Sequence, residues 1–120
     1  MRKRILVVDD DTMNLMRTKM ILEKEYDVYL EDSGIKALNR LRGSKVDLVL
    51  LDIEMPKLNG LETFERMKEF AADVPVIFLT ASGFEDDVRA AIRLGAVNYL
   101  MKPFEPQELL KRVSQELELS

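Results

Sequence analysis

Cysteine and histidine are both missing from this chain of 120 residues. Without cysteine there is no disulfide framework and no thiolate metal site. Without histidine there is no imidazole acid or base, and most zinc sites are excluded. Chemistry here has to run on carboxylates, hydroxyls and amines. No apolar run approaches the roughly 20 residues that a membrane span requires. The opening Met-Arg-Lys-Arg is basic, but only Ile5 to Val8 follow before three acids, too short a stretch for a secretory signal. The expectation is a cytoplasmic domain with no membrane insertion. A basic excess is lacking as well. The formal net charge is −4, and phosphate backbones select for basic faces, so direct nucleic-acid contact is not expected.

What is present is a core. Apolar residues make up 47% of the chain, which suits one folded domain of this length and excludes wholesale disorder. Short apolar runs alternate with longer segments of helical period. Ile5 to Val8 is wholly apolar, as in a strand buried on both faces. Asp11 or Thr12 can cap a following helix that places Met13, Met16, Met20 and Ile21 along one side. These methionines read as core filling. Val28 to Leu30 is a weaker strand, with Asp27 and Glu31 suggesting a sheet edge. Ser33-Gly34 opens a helix carrying Ile35, Leu38 and Leu41 and ending at Gly43.

Val46 to Leu51 predicts a third strand, and Met55-Pro56 and Asn59-Gly60 mark a loop. Leu61, Phe64, Met67 and Phe70 then form a helical stripe. Val74 to Leu79 predicts the fourth strand, with Pro75 near its start, where a missing donor matters least. Phe84 to Leu94 is helical and stops at Gly95. Val97 to Leu100 predicts the fifth strand, and the last helix carries Leu109, Leu110, Val113 and Leu117. Five strands alternating with five helices imply a parallel sheet covered on both sides, three layers in all. The chain reads as a single domain over 1–120.

Polar residues fall at informative places. Asp9, Asp10 and Asp11 follow the first strand, Asp52 the third and Thr80 the fourth, while Lys102 comes two residues after the fifth. In a parallel sheet these positions share the carboxyl edge, where such folds bind ligands. Two carboxylates about 4 Å apart repel by about 4 kcal/mol at an effective dielectric of 20. One lysine cannot offset three acids. A hard cation such as Mg²⁺, or Mn²⁺ with the same ligand preference, suits an all-oxygen cluster. An ionised carboxylate can attack phosphorus without a general base, so the missing histidine is no obstacle. Asp52, alone at its strand end, is the better nucleophile; the adjacent Asp9 and Asp10 suit a metal. Lys102 and Thr80 can stabilise the charge on a transferring phosphoryl group.

The segments Val8-Asp9-Asp10, Leu51-Asp52-Ile53-Glu54-Met55-Pro56 with Gly60, Leu79-Thr80-Ala81, and Tyr99-Leu100-Met101-Lys102-Pro103-Phe104 resemble the response-regulator receiver domains of two-component signalling. The match spans the whole chain, with its landmarks in family order. The resemblance implies a flavodoxin-like, doubly wound five-stranded parallel sheet of order 2-1-3-4-5 with five helices. It implies that Asp52 accepts a phosphoryl group from a sensor histidine kinase or histidine phosphotransfer protein, or from small acyl phosphates. It implies Mg²⁺ held by Asp10, Asp52 and the backbone carbonyl of Glu54, with Asp9 acting through water, and a cis Lys102–Pro103 bond.

The same likeness implies a switch. Thr80 moves toward the phosphoryl group, Tyr99 swings inward, and the surface of the fourth helix, fifth strand and fifth helix is read by a downstream output protein or domain. Arg89, Arg93, Tyr99, Gln107 and Lys111 belong to that surface, which can also support a phosphorylation-dependent homodimer. Glu54 and Ser82 occupy positions that tune how long the phosphoryl group survives. Asn14 resembles its counterpart in receivers of hybrid kinases and cyclic-dinucleotide regulators. Such a domain is a signalling switch and not an enzyme, catalysing only its own phosphoryl transfer and slow self-dephosphorylation.

Singly, these residues have plainer explanations. Asp9 to Asp11 could merely cap a helix, Thr80 is a good strand residue, and a lone lysine such as Lys102 is usually solvated. Tyr99 alone is a half-buried edge aromatic. Acid, acid, hydroxyl and amine at four strand ends are harder to dismiss together. A flavin binder of the same fold would need Ser, Thr and Gly amides in its first loop, where three aspartates would repel phosphate. A phosphatase working through an aspartyl intermediate would need a second acid and a cap domain. Flavin absorbance and phosphomonoester turnover separate these rivals.

Overall fold

The fully apolar runs become strands because both of their faces are covered. A computed structural model of the chain describes residues 2–81, 85–95 and 98–119. Its strands are β1 (Arg4–Val8), β2 (Asp27–Glu31), β3 (Leu48–Asp52), β4 (Val76–Thr80) and β5 (Asn98–Met101). The helices are α1 (Thr12–Leu22), α2 (Gly34–Gly43), α3 (Gly60–Met67), α4 (Glu85–Arg93) and α5 (Pro106–Leu119). The strands form one parallel sheet of order β2-β1-β3-β4-β5, the doubly wound arrangement expected. β2 lies at an edge, as its flanking acids suggested.

Alternation along each strand divides the core in two. Leu6, Val8, Val49, Leu51 and Phe78 pack with residues of α2, α3 and α4, including Leu38, Phe64 and Ala91. Ile5, Val7, Leu48, Leu50, Ile77 and Leu79 pack with Leu15 and Leu22 of α1 and Leu109, Val113 and Leu117 of α5. Each fully buried aliphatic side chain contributes about 1.5–3 kcal/mol, so these two layers fix the sheet, and the sheet fixes its carboxyl edge.

Three elements differ from the sequence expectation. β3 begins at Leu48 instead of Val46. The Asp47 carboxylate accepts from the Arg4 N–H at 2.8 Å, and the Asp47 N–H donates to the Arg4 carbonyl at 2.8 Å. Val46 remains buried just outside the strand. β4 begins at Val76, past Pro75, and runs through Thr80. The stripe on α3 ends at Met67, so Phe70 lies beyond the helix, partly exposed, with the Arg42 guanidinium 4.8 Å from its ring centre. Phe84 and Val97, expected as element starts, and Ser82 lie outside the described residues.

The methionines of α1 are a correction. Met13, Met16 and Met20 are 77%, 48% and 67% exposed, so they do not fill the core. The buried side of α1 is Leu15, Thr18 and Leu22. Both stripes follow helical spacing, and the polar Thr18 in the buried one makes the methionine stripe look the more apolar. Ile35 is likewise exposed. Caps behave as local chemistry dictates. Asp11 accepts from the N–H of Met13 at 2.9 Å, and Ser33 accepts from that of Lys36 at 3.1 Å. Gly95 takes φ +96°, the left-handed stop that favours glycine.

Candidate functional site

Register brings the site together. Val8 pairs with Leu51, Asp52 with Leu79 and Thr80 with Met101, so the residues that leave these strands at the carboxyl edge are neighbours. The Lys102 N–H donates to the Thr80 carbonyl at 2.7 Å, which holds the chain after β5 against β4. The Lys102–Pro103 bond is cis.

The Lys102 ammonium lies 2.7 Å from Asp9 Oδ2 and 3.4 Å from Asp52 Oδ1. Asp9 and Asp52 are only 2% and 4% exposed, and Lys102 is mostly enclosed. Asp10 is at the surface. One carboxylate oxygen from each of Asp9, Asp10 and Asp52 lies within 4.8 Å of the others. Backbone N–H groups support the acids. That of Asp11 donates to Asp9 Oδ1 at 3.0 Å, and that of Glu54 reaches Asp52 Oδ1 at 3.4 Å. Thr80 is fully buried, and its hydroxyl is 3.3 Å from Glu54 Oε1. Tyr99 is on the surface, with its carbonyl accepting from Arg112 at 3.0 Å. Arg89, Arg93, Gln107 and Lys111 are also exposed.

Electrostatics set the protonation. Burial pushes the Asp52 carboxyl up to about 7; the Lys102 charge pulls it back and the neighbouring Asp9 raises it again. For Lys102, burial works against the charged form. The hydrogen bond to Asp9 and the charges of Asp52 and Asp9 outweigh it and raise the ammonium above its usual value. Three acids and one lysine leave an excess of negative charge in a confined space. Hard oxygen donors this close suit a divalent ion. Oxygens on one octahedral Mg²⁺ lie about 3 Å apart when adjacent and about 4.2 Å apart when opposite, so the acids must draw in from their 4.8 Å bound or one of them must act through water. The donor set fits.

Two site features were missed in the sequence. Asp9 meets Lys102 directly, a pairing across 93 positions that no local pattern announces. Asn59 belongs to a capping box with Glu62 that starts α3, the Asn59 carbonyl-amide accepting from Glu62 N–H at 2.9 Å and Glu62 accepting from Asn59 N–H at 3.0 Å. The Asn-x-x-Glu spacing was the available signal. Gly60 follows, and a Cβ there would lie 2.2 Å from the Asp52 carbonyl oxygen. The helix start is thereby pressed against the strand that carries Asp52.

A doubly wound sheet with buried acids, a hydroxyl and an ammonium at its carboxyl edge is an arrangement suited to a divalent ion and a phosphoryl group. Residues 5–114 match the family model for the response regulator receiver domain, and this chain belongs to that family. It is 38% identical over 114 residues to the alkaline phosphatase synthesis transcriptional regulatory protein PhoP of Bacillus subtilis, a match covering 94% of this chain and 48% of that protein. It is 40% identical over 118 residues to the DNA-binding response regulator MtrA of Mycobacterium tuberculosis, covering 98% and 51%. The chain thus spans about half the length of the curated relatives it matches. Among solved structures it superposes on a CheY-like receiver domain protein from Methanospirillum hungatei with a TM-score of 0.94 at 32% identity, covering 98% of this chain and 95% of that one. The BeF3-activated DrrB receiver domain gives a TM-score of 0.90 at 33% identity, covering 98% and 99%. Receiver domains of this family bind Mg²⁺ at such an acidic cluster and serve response regulators, the signalling proteins that histidine kinases address.

Proposed function

We propose that Asp52 is the phosphoacceptor of this chain, and that residues 1–120 act as one receiver unit switched by its phosphorylation. The observation that carries the reading is the buried Asp52 carboxylate 3.4 Å from the Lys102 ammonium, with Asp9 and Asp10 beside it. In this reading an Asp52 oxygen attacks phosphorus in line and the bond to the donor's leaving group breaks. The Lys102 ammonium and the Thr80 hydroxyl take up charge on the phosphoryl oxygens. Asp10, Asp52 and the Glu54 carbonyl would hold Mg²⁺, with Mn²⁺ as the alternative and Asp9 acting through water. A bound divalent ion supplies positive charge against the same oxygens.

The donors are a sensor histidine kinase, a histidine phosphotransfer protein or small acyl phosphates. Once phosphorylated, Thr80 exchanges its Glu54 acceptor for a phosphoryl oxygen and Tyr99 turns inward, changing the α4-β5-α5 surface for an output partner or a second copy. Glu54 and Ser82 set the lifetime. The domain turns over no external product beyond its own phosphorylation and slow self-dephosphorylation, and it works in the cytoplasm. The net charge of −4 leaves nucleic-acid contact to other parts of such regulators. The test is incubation with acetyl phosphate or beryllofluoride plus Mg²⁺, read by intact mass or spectral shift. Wild type gains the phosphoryl mass and Asp52→Ala does not; a mass gain that survives Asp52→Ala sinks the assignment.

A further inference from the structure

Next to Lys102 opens a cavity of about 360 Å³, lined by Asn14, Arg17, Thr18, Ala81, Lys102, Pro103 and Phe104. This is at the small end of ligand-sized cavities, which run from roughly 300 to 1,000 Å³. Its polar wall comes from α1. Among the described residues, neither the Arg17 guanidinium nor the Asn14 side-chain amide has a hydrogen-bond or ion-pair partner. Arg17 is exposed and Asn14 partly covered. The opposite wall, Ala81, Pro103 and Phe104, is apolar. A forked cation and an amide facing a short apolar wall suit a small carboxylate with an alkyl tail.

The position matters as much as the lining. Lys102 borders the cavity, and its ammonium is 3.4 Å from Asp52 Oδ1. The cavity and the nucleophile therefore share Lys102 as a neighbour. When a carboxylate attacks an acyl phosphate, the new Asp52–phosphorus bond forms as the phosphorus–acyl oxygen bond breaks. The departing acyl group takes the electron pair and leaves as a carboxylate, with no proton needed. Negative charge grows on that leaving group, and a cation at its side lowers the barrier.

We infer that the Asn14–Arg17 cavity is a leaving-group subsite for short-chain acyl phosphates, with Arg17 holding the carboxylate that departs. The inference rests on Asp52 being the phosphoacceptor. Phosphoramidate provides the contrast, because its phosphorus–nitrogen bond releases neutral ammonia and gains nothing from the guanidinium.

The test compares phosphorylation by acetyl phosphate and by phosphoramidate at saturating Mg²⁺, in wild type, Arg17→Met and Arg17→Lys. Beryllofluoride binding checks that each variant is folded with its acceptor site intact. Arg17→Met lowers the ratio of the acetyl phosphate rate to the phosphoramidate rate by about three- to tenfold, as the loss of one charge-assisted contact at a partly open site allows. Arg17→Lys restores part of the ratio, since a point ammonium cannot grip both carboxylate oxygens. An unchanged ratio in Arg17→Met overturns the subsite. Full recovery in Arg17→Lys also overturns it, by reducing Arg17 to long-range attraction. A wild type phosphorylated by both donors, with Arg17→Met showing the same ratio, refutes only the subsite. A wild type that takes a phosphoryl group from neither donor removes the acceptor reading and the subsite with it.

Discussion

The two edges of the sheet carry the same kinds of side chain and treat them differently. At the amino edge, Arg2 lies 3.6 Å from Asp27 with both side chains about half exposed, at 47% and 49%, and Arg2 also donates to the Tyr26 carbonyl at 2.8 Å. Water solvates these charges and the pairing contributes little. At the carboxyl edge Asp9, Asp52, Thr80 and Lys102 are enclosed among the strand ends. Burial removes water from the acids, and each must find a cation or a proton. Residue type alone does not make a site; desolvation at a shared edge does.

The largest expected contrast comes from removing the enclosed cation. Lys102→Met leaves Asp9 and Asp52 buried without their ammonium and should destabilise the metal-free domain by about 3 kcal/mol, measured by urea unfolding in EDTA. A loss under 0.5 kcal/mol would mean the carboxyl edge is no drier than the amino edge.

Next is the reverse change at the acceptor. Folded Asp52 keeps its proton up to about pH 7, whereas the unfolded carboxyl releases it near the ordinary value. Between those limits the folded state binds more protons, so stability falls as pH rises from about 4 to 7. Asp52→Asn should therefore flatten the profile and stabilise the metal-free protein by about 1–3 kcal/mol at pH 8. Saturating Mg²⁺ should narrow or reverse the difference, because the ion binds ionised carboxylates and finds one more of them in the wild type. A wild-type stability that is flat over this range in EDTA would contradict the burial argument.

Gly60→Ala should cost about 1–3 kcal/mol, since its methyl would meet the Asp52 carbonyl and push α3 or β3 aside. Thermal unfolding reads the loss, and an unchanged midpoint would show that the close approach is not rigid. The smallest effect belongs to the amino edge. Asp27→Asn should change stability by less than about 1 kcal/mol, with the residue vanishing further into the noise at high salt.

This contrast explains what was legible in the sequence. Strands buried on both faces leave continuous apolar runs, so the element order and the parallel sheet could be read directly. The site was legible because a parallel sheet delivers every strand end to one edge, and Asp9, Asp10, Asp52, Thr80 and Lys102 stand at those ends. What could not be read depended on contacts between distant segments. β3 starts at Leu48 and not at Val46 because of the Arg4–Asp47 pairing, and β4 starts at Val76, past Pro75. The methionines of α1 share helical spacing with the buried Leu15 and Leu22, and only packing decides between the stripes. The direct Asp9–Lys102 bond has no local signature at all.

The central claim is that confinement at the carboxyl edge raises the Asp52 proton affinity until a divalent ion displaces the proton. Carbon-13 NMR titration of the Asp52 carboxyl, with and without Mg²⁺, tests this directly. The account predicts a midpoint near 7 in EDTA that moves down by more than a unit when Mg²⁺ is saturating. An Asp52 midpoint in the ordinary carboxylate range, indifferent to Mg²⁺, would contradict it.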